Sequence, residues 1–222
     1  MTPAVAPRAL DEFEAKRLLA GYGVPVVAEA RAGDADAAAA AARAIGYPVV
    51  LKGCGAEHLH KTERGLVELD VPDETALRTA AGRLLAAMQG RGDLLVQRRV
   101  QGRREFLAGF SRDPVYGPVV TFGLGGIHAE VLADVALRLA PIDADDARAM
   151  LGEIRAHALL GPVRGLPAVD AEALVGVLLA LSRLAVERPD IAAVDINPLI
   201  VEGSQPVAVD GLVLLADAAA SR

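Results

Sequence analysis

Residues 24–52 read VPVVAEARAGDADAAAAAARAIGYPVVLK, and this stretch decides the fold class. It opens on an extended run from Val24 to Ala30. Gly33-Asp34 then starts an alanine-rich segment to Ala44, strongly helix-forming and stopped by Gly46. Tyr47-Pro48-Val49-Val50-Leu51-Lys52 follows as a short continuous apolar run, the pattern of a buried strand. Strand, helix and strand in so short a span make a β-α-β pattern, which points to an α/β architecture.

Working outward, Leu10, Phe13, Glu14, Leu18 and Leu19 keep helical spacing until Gly21-Tyr22-Gly23-Val24-Pro25 ends it. On the other side, Gly53 to Gly65 has no apolar period and is expected to be a loop. Leu66 to Val71 alternates as a strand. Asp73 can cap a helix with apolar positions Leu77, Ala80, Ala81, Leu84, Leu85 and Met88, and a strand runs from Asp93 to Val100. Further on, Glu105–Phe110, Pro118–Phe122 and a run from Ala129 to Leu139 read as sheet, with helices at Asp143–Ile154 and Asp170–Glu187. Three short strands close the chain: Ile191–Ile196, Leu199–Glu202 and Pro206–Asp210. The expectation is two α/β lobes joined near Gln97 to Gly102. A helix in 1–20 packs on the C-terminal lobe, 21–100 form a small lobe and 101–222 a large one.

Composition narrows the function classes. The chain has 222 residues, 53% of them hydrophobic, ample for a core. The single cysteine, Cys54, excludes an intramolecular disulfide framework, and Met1 to Arg8 lacks a basic segment followed by an apolar one, so a cytoplasmic location is expected. The longest apolar stretch, Ala173 to Val186, is interrupted by Ser182 and Arg183 and flanked by acids, which fits a buried amphipathic helix and no membrane span. A net charge of −6, 3% aromatic residues and no tryptophan argue against nucleic-acid binding. Among 23 basic residues only Lys16, Lys52 and Lys61 are lysine. A lysine kept in an arginine-rich chain suits a site needing a compact charge with rotatable donors, which makes Lys52 and Lys61 phosphate-contact candidates. Chance placement is the competing explanation.

Three constellations can carry chemistry. In Asp195-Ile196-Asn197-Pro198 the two polar residues alternate, so both project from one strand face, and a short turn through Gly203-Ser204-Gln205 returns a strand bearing Asp210. Two carboxylates and an amide oxygen suit Mg²⁺, which takes a few hard oxygen ligands plus water and phosphate. A capped polar hairpin end explains the same residues. The loop from Lys52 to Gly65 combines glycines, His58, His60 and Lys61: it suits phosphate chemistry, including a phosphohistidine, and is equally a solvated loop. It lacks Walker A spacing, and no third ligand completes a transition-metal site. The glycine-rich segment Phe122-Gly123-Leu124-Gly125-Gly126 opens no helix, which disfavours a dinucleotide fingerprint and favours a tight structural turn.

In order along the chain, LDEFEAKRLLAGYGVPV (10–26), GYPVVLK (46–52), HKTERGLVEL (60–69), LLVQRRVQGRREFLAGFSRDPVYGPVVTFGLGGIHAEVLADVALRL (94–139), GPVRGLPAVD (161–170) and DINPLIV (195–201) resemble the ATP-grasp subunit of ADP-forming acyl-CoA synthetases, commonly acetate–CoA ligase. The likeness to the succinyl-CoA synthetase β subunit is more distant. The resemblance implies an ATP-grasp fold, α/β with two lobes clasping a nucleotide. It implies an acid–thiol ligase interconverting acyl-CoA, phosphate and ADP with carboxylate, CoA and ATP, active with a CoA-binding α subunit in an α2β2 heterotetramer. ATP or ADP is the substrate and Mg²⁺ the cofactor.

By the same resemblance His60 is the phosphohistidine that ferries phosphate. Lys52 and the backbone around Arg64-Gly65 contact nucleotide phosphates. Gln97, Arg98, Arg99 and Val100 line the adenine pocket and Glu105 binds the ribose. Asn197 and Asp210 are Mg²⁺ ligands, while Asp195 holds the phosphorylated histidine as charge develops. The chain departs from the family in carrying Leu66 after Gly65 and Gly211 after Asp210. Two alternatives stand beside this one. A stand-alone ATP-grasp carboxylate ligase needs its own acceptor pocket, for which the chain is short. A nucleotide-sensing regulatory module would leave His60 and Asn197 dispensable.

Overall fold

Two aspartates set the helices of the smaller unit. In the computed structural model, which describes residues 8–55, 65–126 and 132–216, the Asp34 carboxylate accepts from the Ala37 amide at 2.8 Å and so starts helix α2, Ala35–Ile45. Gly46, at φ +94°, ends it. Asp73 likewise accepts from the Ala76 amide at 2.9 Å at the start of α3, Glu74–Met88. Ala38, Ala39 and Ala42 of α2 and Leu77, Ala81 and Leu84 of α3 are buried with Val49, Leu51, Leu94 and Val96 in one core. The small alanine side chains let α2 approach its sheet closely.

That sheet contains β1 (Glu29–Ala32), β4 (Asp93–Arg98), β2 (Val49–Cys54) and β3 (Val67–Val71) in this order, every neighbour antiparallel. Because β4 pairs antiparallel with both β1 and β2, those two run the same way with β4 between them. The β-α-β pattern read from 24–52 is therefore a crossover that skips one strand. All of β2 is buried, on both faces, which explains its continuous apolar run.

By internal contacts the chain divides into two units: Asp11–Glu14 with Val27–Val100, and the remaining described residues. This differs from the predicted boundaries in two places, each with a local cause. The first turn of α1 (Glu12–Gly21) goes with the small unit, where Glu12 pairs with Lys52. Residues 21–26 go with the large one, where Val26 bridges Ala208 and the Ala208 amide donates to Pro25 O at 2.8 Å.

The large unit is built on an antiparallel sheet ordered β10 (Leu212–Leu215), β8 (Ile191–Glu202), β5 (Glu105–Asp113), β6 (Gly117–Leu124) and β7 (Val135–Leu139), with β9 (Gln205–Ala208) also pairing β8. Helices α4 (Ala144–Glu153) and α5 (Ala171–Glu187) share a core with its inward residues; Phe106 and Phe122 stack at 5.5 Å between ring centroids beside Leu174, Leu178 and Leu181. Among the described residues no helix is long and apolar enough to cross a membrane.

Two expectations about the end of the chain are corrected. The segments around Asn197-Pro198 form one strand, β8. Proline does interrupt pairing: Phe106 sits opposite Leu199 and Ala108 opposite Ile196, so Asn197 and Pro198 together face the single residue Leu107. This bulge lets the chain pass the missing amide and continue. It also resets the alternation, since Val194 and Ile196 are buried before it and Leu199 and Val201 after it. Further, β9 stops at Ala208, and the unpredicted strand β10 follows Gly211.

Close backbone approach fixes β5 against β8. A Cβ at Gly109 would fall on the Val194 carbonyl oxygen. Gly109→Ala should therefore destabilise the chain by about 1–3 kcal/mol, the scale of overpacking a core, read as a lower denaturation midpoint. Arg104 anchors the start of β5. Its buried guanidinium donates to the carbonyls of Leu159 and Gly161, each at 3.2 Å, and of Gly203 at 3.1 Å.

Asp134, 6% exposed, caps the short 3-10 helix Arg155–Leu160 by accepting from the amides of Arg155 and Ala156 at 2.7 and 2.8 Å. Burial opposes its charge, but these two amides and the Arg155 guanidinium outweigh that and hold the carboxyl below its ordinary value of 3.8. A depressed carboxyl contributes stability that is present above the unfolded pKa and lost as pH falls through the folded one. The stability gap between wild type and Asp134→Asn should thus be widest above pH about 4 and close at lower pH in thermal melts.

Candidate nucleotide and metal site

The large unit gathers its polar residues where β8 changes partner. Along one edge β8 pairs first with β10, Asp195 opposite Leu212, and then with β9, Leu199 opposite Ala208. Residues 209–211 therefore cross opposite 196–198, outside both ladders, tied there by the Val209 amide donating to Pro198 O at 3.3 Å. The crossing places Asp210 at the level of Asn197. Strand alternation puts Val194 and Ile196 into the helix-covered core and Asp195 onto the other face, where it is exposed. Its register partner on β5 is Gly109, which has no side chain to crowd it.

Electrostatics marks the same pair of acids. Although part of Asp195 is open to solvent, desolvation by the surrounding protein and the neighbouring charge of Asp210 push its carboxyl above the ordinary range. A carboxylate raised in this way by its neighbour gains from a cation beside it.

The glycine-rich segment completes this cluster. The Gly125 amide donates to Glu105 O at 2.9 Å, and the Gly126 amide donates to Asn197 Oδ1 at 3.1 Å. A Cβ on Gly126, at φ +66°, would overlap the Glu105 carboxylate. Glycine there lets the backbone lie against Glu105 while orienting the Asn197 amide. The segment was read as a structural turn; that its amide serves Asn197 could not be found without the β5–β6 register.

Asp195, Asn197 and Asp210 form a hard, all-oxygen donor set of two carboxylates and one carbonyl. Among the described residues no group of three His, Cys, Asp or Glu forms a complete metal cage. The set fits Mg²⁺, which keeps waters and takes phosphate oxygens, better than Zn²⁺, which favours nitrogen and sulfur.

The small unit carries the residues expected to meet the nucleotide, and most are already engaged. Lys52 is 6% exposed on β2, and its Nζ donates to Glu12 Oε1 at 2.8 Å in a buried ion pair. Sequence reasoning passed over Glu12, whose place in a helical pattern gave no sign of a strand partner forty positions on. On β4, Gln97 is 2% exposed and donates to Glu29 Oε2 at 3.0 Å. The Arg98 amide donates to Ala28 O at 2.8 Å, Arg99 pairs with Asp70 at 2.6 Å, and Val100 is half-buried where the unit ends. Gly65, at φ +65°, is an exposed turn residue before β3. His60 and Arg64 lie outside the described residues.

A family model described as an ATP-grasp domain matches residues 4–215. The chain is 36% identical to the β subunit of ADP-forming acetate–CoA ligase I from Pyrococcus furiosus, covering 94% of this chain and 92% of that one. The chain belongs to this ATP-grasp family. A single-chain member, ADP-forming acetate–CoA ligase I of Archaeoglobus fulgidus, is 36% identical over 90% of this chain, which spans only 30% of that protein. Two solved structures of acetyl-coenzyme A synthetase 1 from Ca. Korarchaeum cryptofilum superpose with TM-scores of 0.90 and 0.84, at 34% and 35% identity. The match covers 94% of this chain in both, and 94% and 93% of theirs. The first holds coenzyme A, Ca-AMPCP and HgCl⁺; the second holds coenzyme A and Mg-AMPPCP, with its phosphohistidine segment pointing towards the nucleotide-binding site. Family members thus occur both as separate β subunits and within longer chains.

Proposed function

We propose that this chain is the nucleotide-handling subunit of an ADP-forming acyl-CoA synthetase, moving a phosphoryl group between ADP and a phosphohistidine. The observation that carries the reading is the Asp195, Asn197 and Asp210 cluster at the partner switch of β8, in a chain with this family's ATP-grasp fold. In the direction of ATP formation an oxygen of the ADP β-phosphate attacks phosphorus. The P–N bond of the phosphohistidine breaks as the new P–O bond forms, and the ring leaves neutral. The reverse transfer charges the histidine from ATP.

His60 is the residue proposed to carry phosphate. Asn197 and Asp210 would hold Mg²⁺, which supplies charge neutralisation and an in-line template for phosphate oxygens. Asp195 orients the histidine ring, Glu105 receives the ribose, and Gln97 to Val100 border the base. Lys52 offers its ammonium to the phosphates, together with the backbone at Arg64 and Gly65; Glu12 holds that ammonium in place between turnovers. The 21–100 region acts as the lid lobe and 101–222 as the metal-bearing lobe. The thioester chemistry belongs to a CoA-binding α subunit, in an α2β2 assembly in the cytoplasm, where ATP and CoA are available.

The test is phosphoryl labelling. The chain mixed with its α subunit and γ-labelled Mg-ATP should acquire an acid-labile, base-stable label that His60→Asn lacks. Complex formation with no such label on wild type would overturn the transfer role, and ATP turnover with carboxylates by the isolated chain would favour a stand-alone ligase.

A further inference from the structure

Lys16 has no part in the chemistry above, yet it is among the largest fully buried side chains described, 0% exposed. It lies on α1, and its Nζ reaches Val209 O at 3.4 Å, a long contact. Its stem passes the other end of the same turn: a Cβ on Gly211 would stand 3.5 Å from Lys16 Cγ and 3.2 Å from Leu19 Cδ1. One side chain therefore touches the residues on both sides of Asp210. The Gly211 amide in turn donates to Asp210 Oδ1 at 2.8 Å, fixing the carboxylate relative to that turn.

Burying an ammonium is costly unless nearby negative charge repays it, and a methionine or leucine would fill the volume more cheaply. One contact of this ammonium is a carbonyl one residue from Asp210, in a crossing that neither ladder holds. We infer that Lys16 is a positioning residue for the metal end of the site: it fixes the 209–211 crossing, and so the placement of Asp210 beside Asn197. This rests on reading the cluster as a Mg-nucleotide site. It also gives Gly211 a purpose, since a Cβ there would crowd Leu19 Cδ1 at 3.2 Å, one turn along α1 from the lysine, and shift the turn.

The experiment is calorimetric titration of the full chain with the ATP analogue AMPPCP, across a Mg²⁺ series and again in EDTA. Lys16→Met should raise the half-saturating Mg²⁺ by about tenfold or more, the scale of losing a supporting contact to a metal ligand, while binding in EDTA stays at the wild-type value. Gly211→Ala, which keeps the lysine but crowds Leu19 and so displaces the turn, should shift Mg²⁺ dependence in the same direction by less. A folded Lys16→Met with wild-type Mg²⁺ dependence overturns the inference, as does equal weakening with and without Mg²⁺, which marks a general structural role. Should Lys16→Met not fold, Gly211→Ala decides alone: a raised Mg²⁺ requirement supports the inference and an unchanged one overturns it. Failure of the wild type to bind AMPPCP at any Mg²⁺ concentration overturns the underlying nucleotide reading, and the inference with it.

Discussion

Asp210→Ala should leave the chain folded and cut phosphoryl transfer by about two to three orders of magnitude, the cost of removing one preorganised charge-stabilising group from a transfer site. The fold survives because Asp210 lies in the crossing outside the β9 and β10 ladders, half-buried, and fills no core volume. Its loss also removes the charge that disfavours ionisation of Asp195, but the metal is left one ligand short, so excess Mg²⁺ should recover only part of the rate. Single-turnover labelling of the phosphohistidine from Mg-ATP, alongside a thermal melt, checks both halves. A variant that transfers phosphate at the wild-type rate would remove Asp210 from the site.

Lys52→Ala should act first on stability. Its ammonium and the Glu12 carboxylate are 8% and 2% exposed, so truncation takes a cation 2.8 Å away from a buried carboxylate. Breaking such a pair from one side costs about 3–5 kcal/mol, whereas replacing both partners by apolar residues is often neutral. The double variant Glu12→Leu, Lys52→Met should therefore recover much of the stability and none of the nucleotide affinity. Denaturant melts and AMPPCP binding on the three proteins separate the two effects. If Lys52→Ala melts like wild type, the pair is not the anchor that its burial indicates.

The smaller unit was legible because local signals agreed. The aspartates before α2 and α3, the glycine after α2 and the unbroken apolar run of β2 each pointed the same way as the final packing. What could not be read there was strand order, because the placing of β4 between β1 and β2 depends on long-range pairing. In the larger unit the sequence supplied the acids but not the turn that brings them together. Leu212–Leu215 is only four residues long and follows Gly211 directly, so it looked like the tail of a strand already ended. Glu12 gave no composition or spacing signal, and Lys16 and Gly126 stood out only as a scarce lysine and a turn glycine; the relevance of all three lies in partners far along the chain. The resemblance named Asn197 and Asp210 together, and the β8 register supplies the physical reason they adjoin.

The bulge at Asn197-Pro198 has one more consequence. It works as a frameshift within β8: Val194 and Ile196 face the core just ahead of it, and Leu199 and Val201 just behind it. The two halves of the strand are thus in different frames, one keeping Asp195 in the open and the other keeping Leu199 and Val201 covered. Such a strand tolerates a change of length at the bulge better than elsewhere along it. Losing one residue at the bulge would leave a single residue opposite Leu107 and keep Leu199 and Val201 inward, whereas losing one elsewhere in β8 would turn one half inside out relative to the other, so during divergence this segment can be resized only at the bulge.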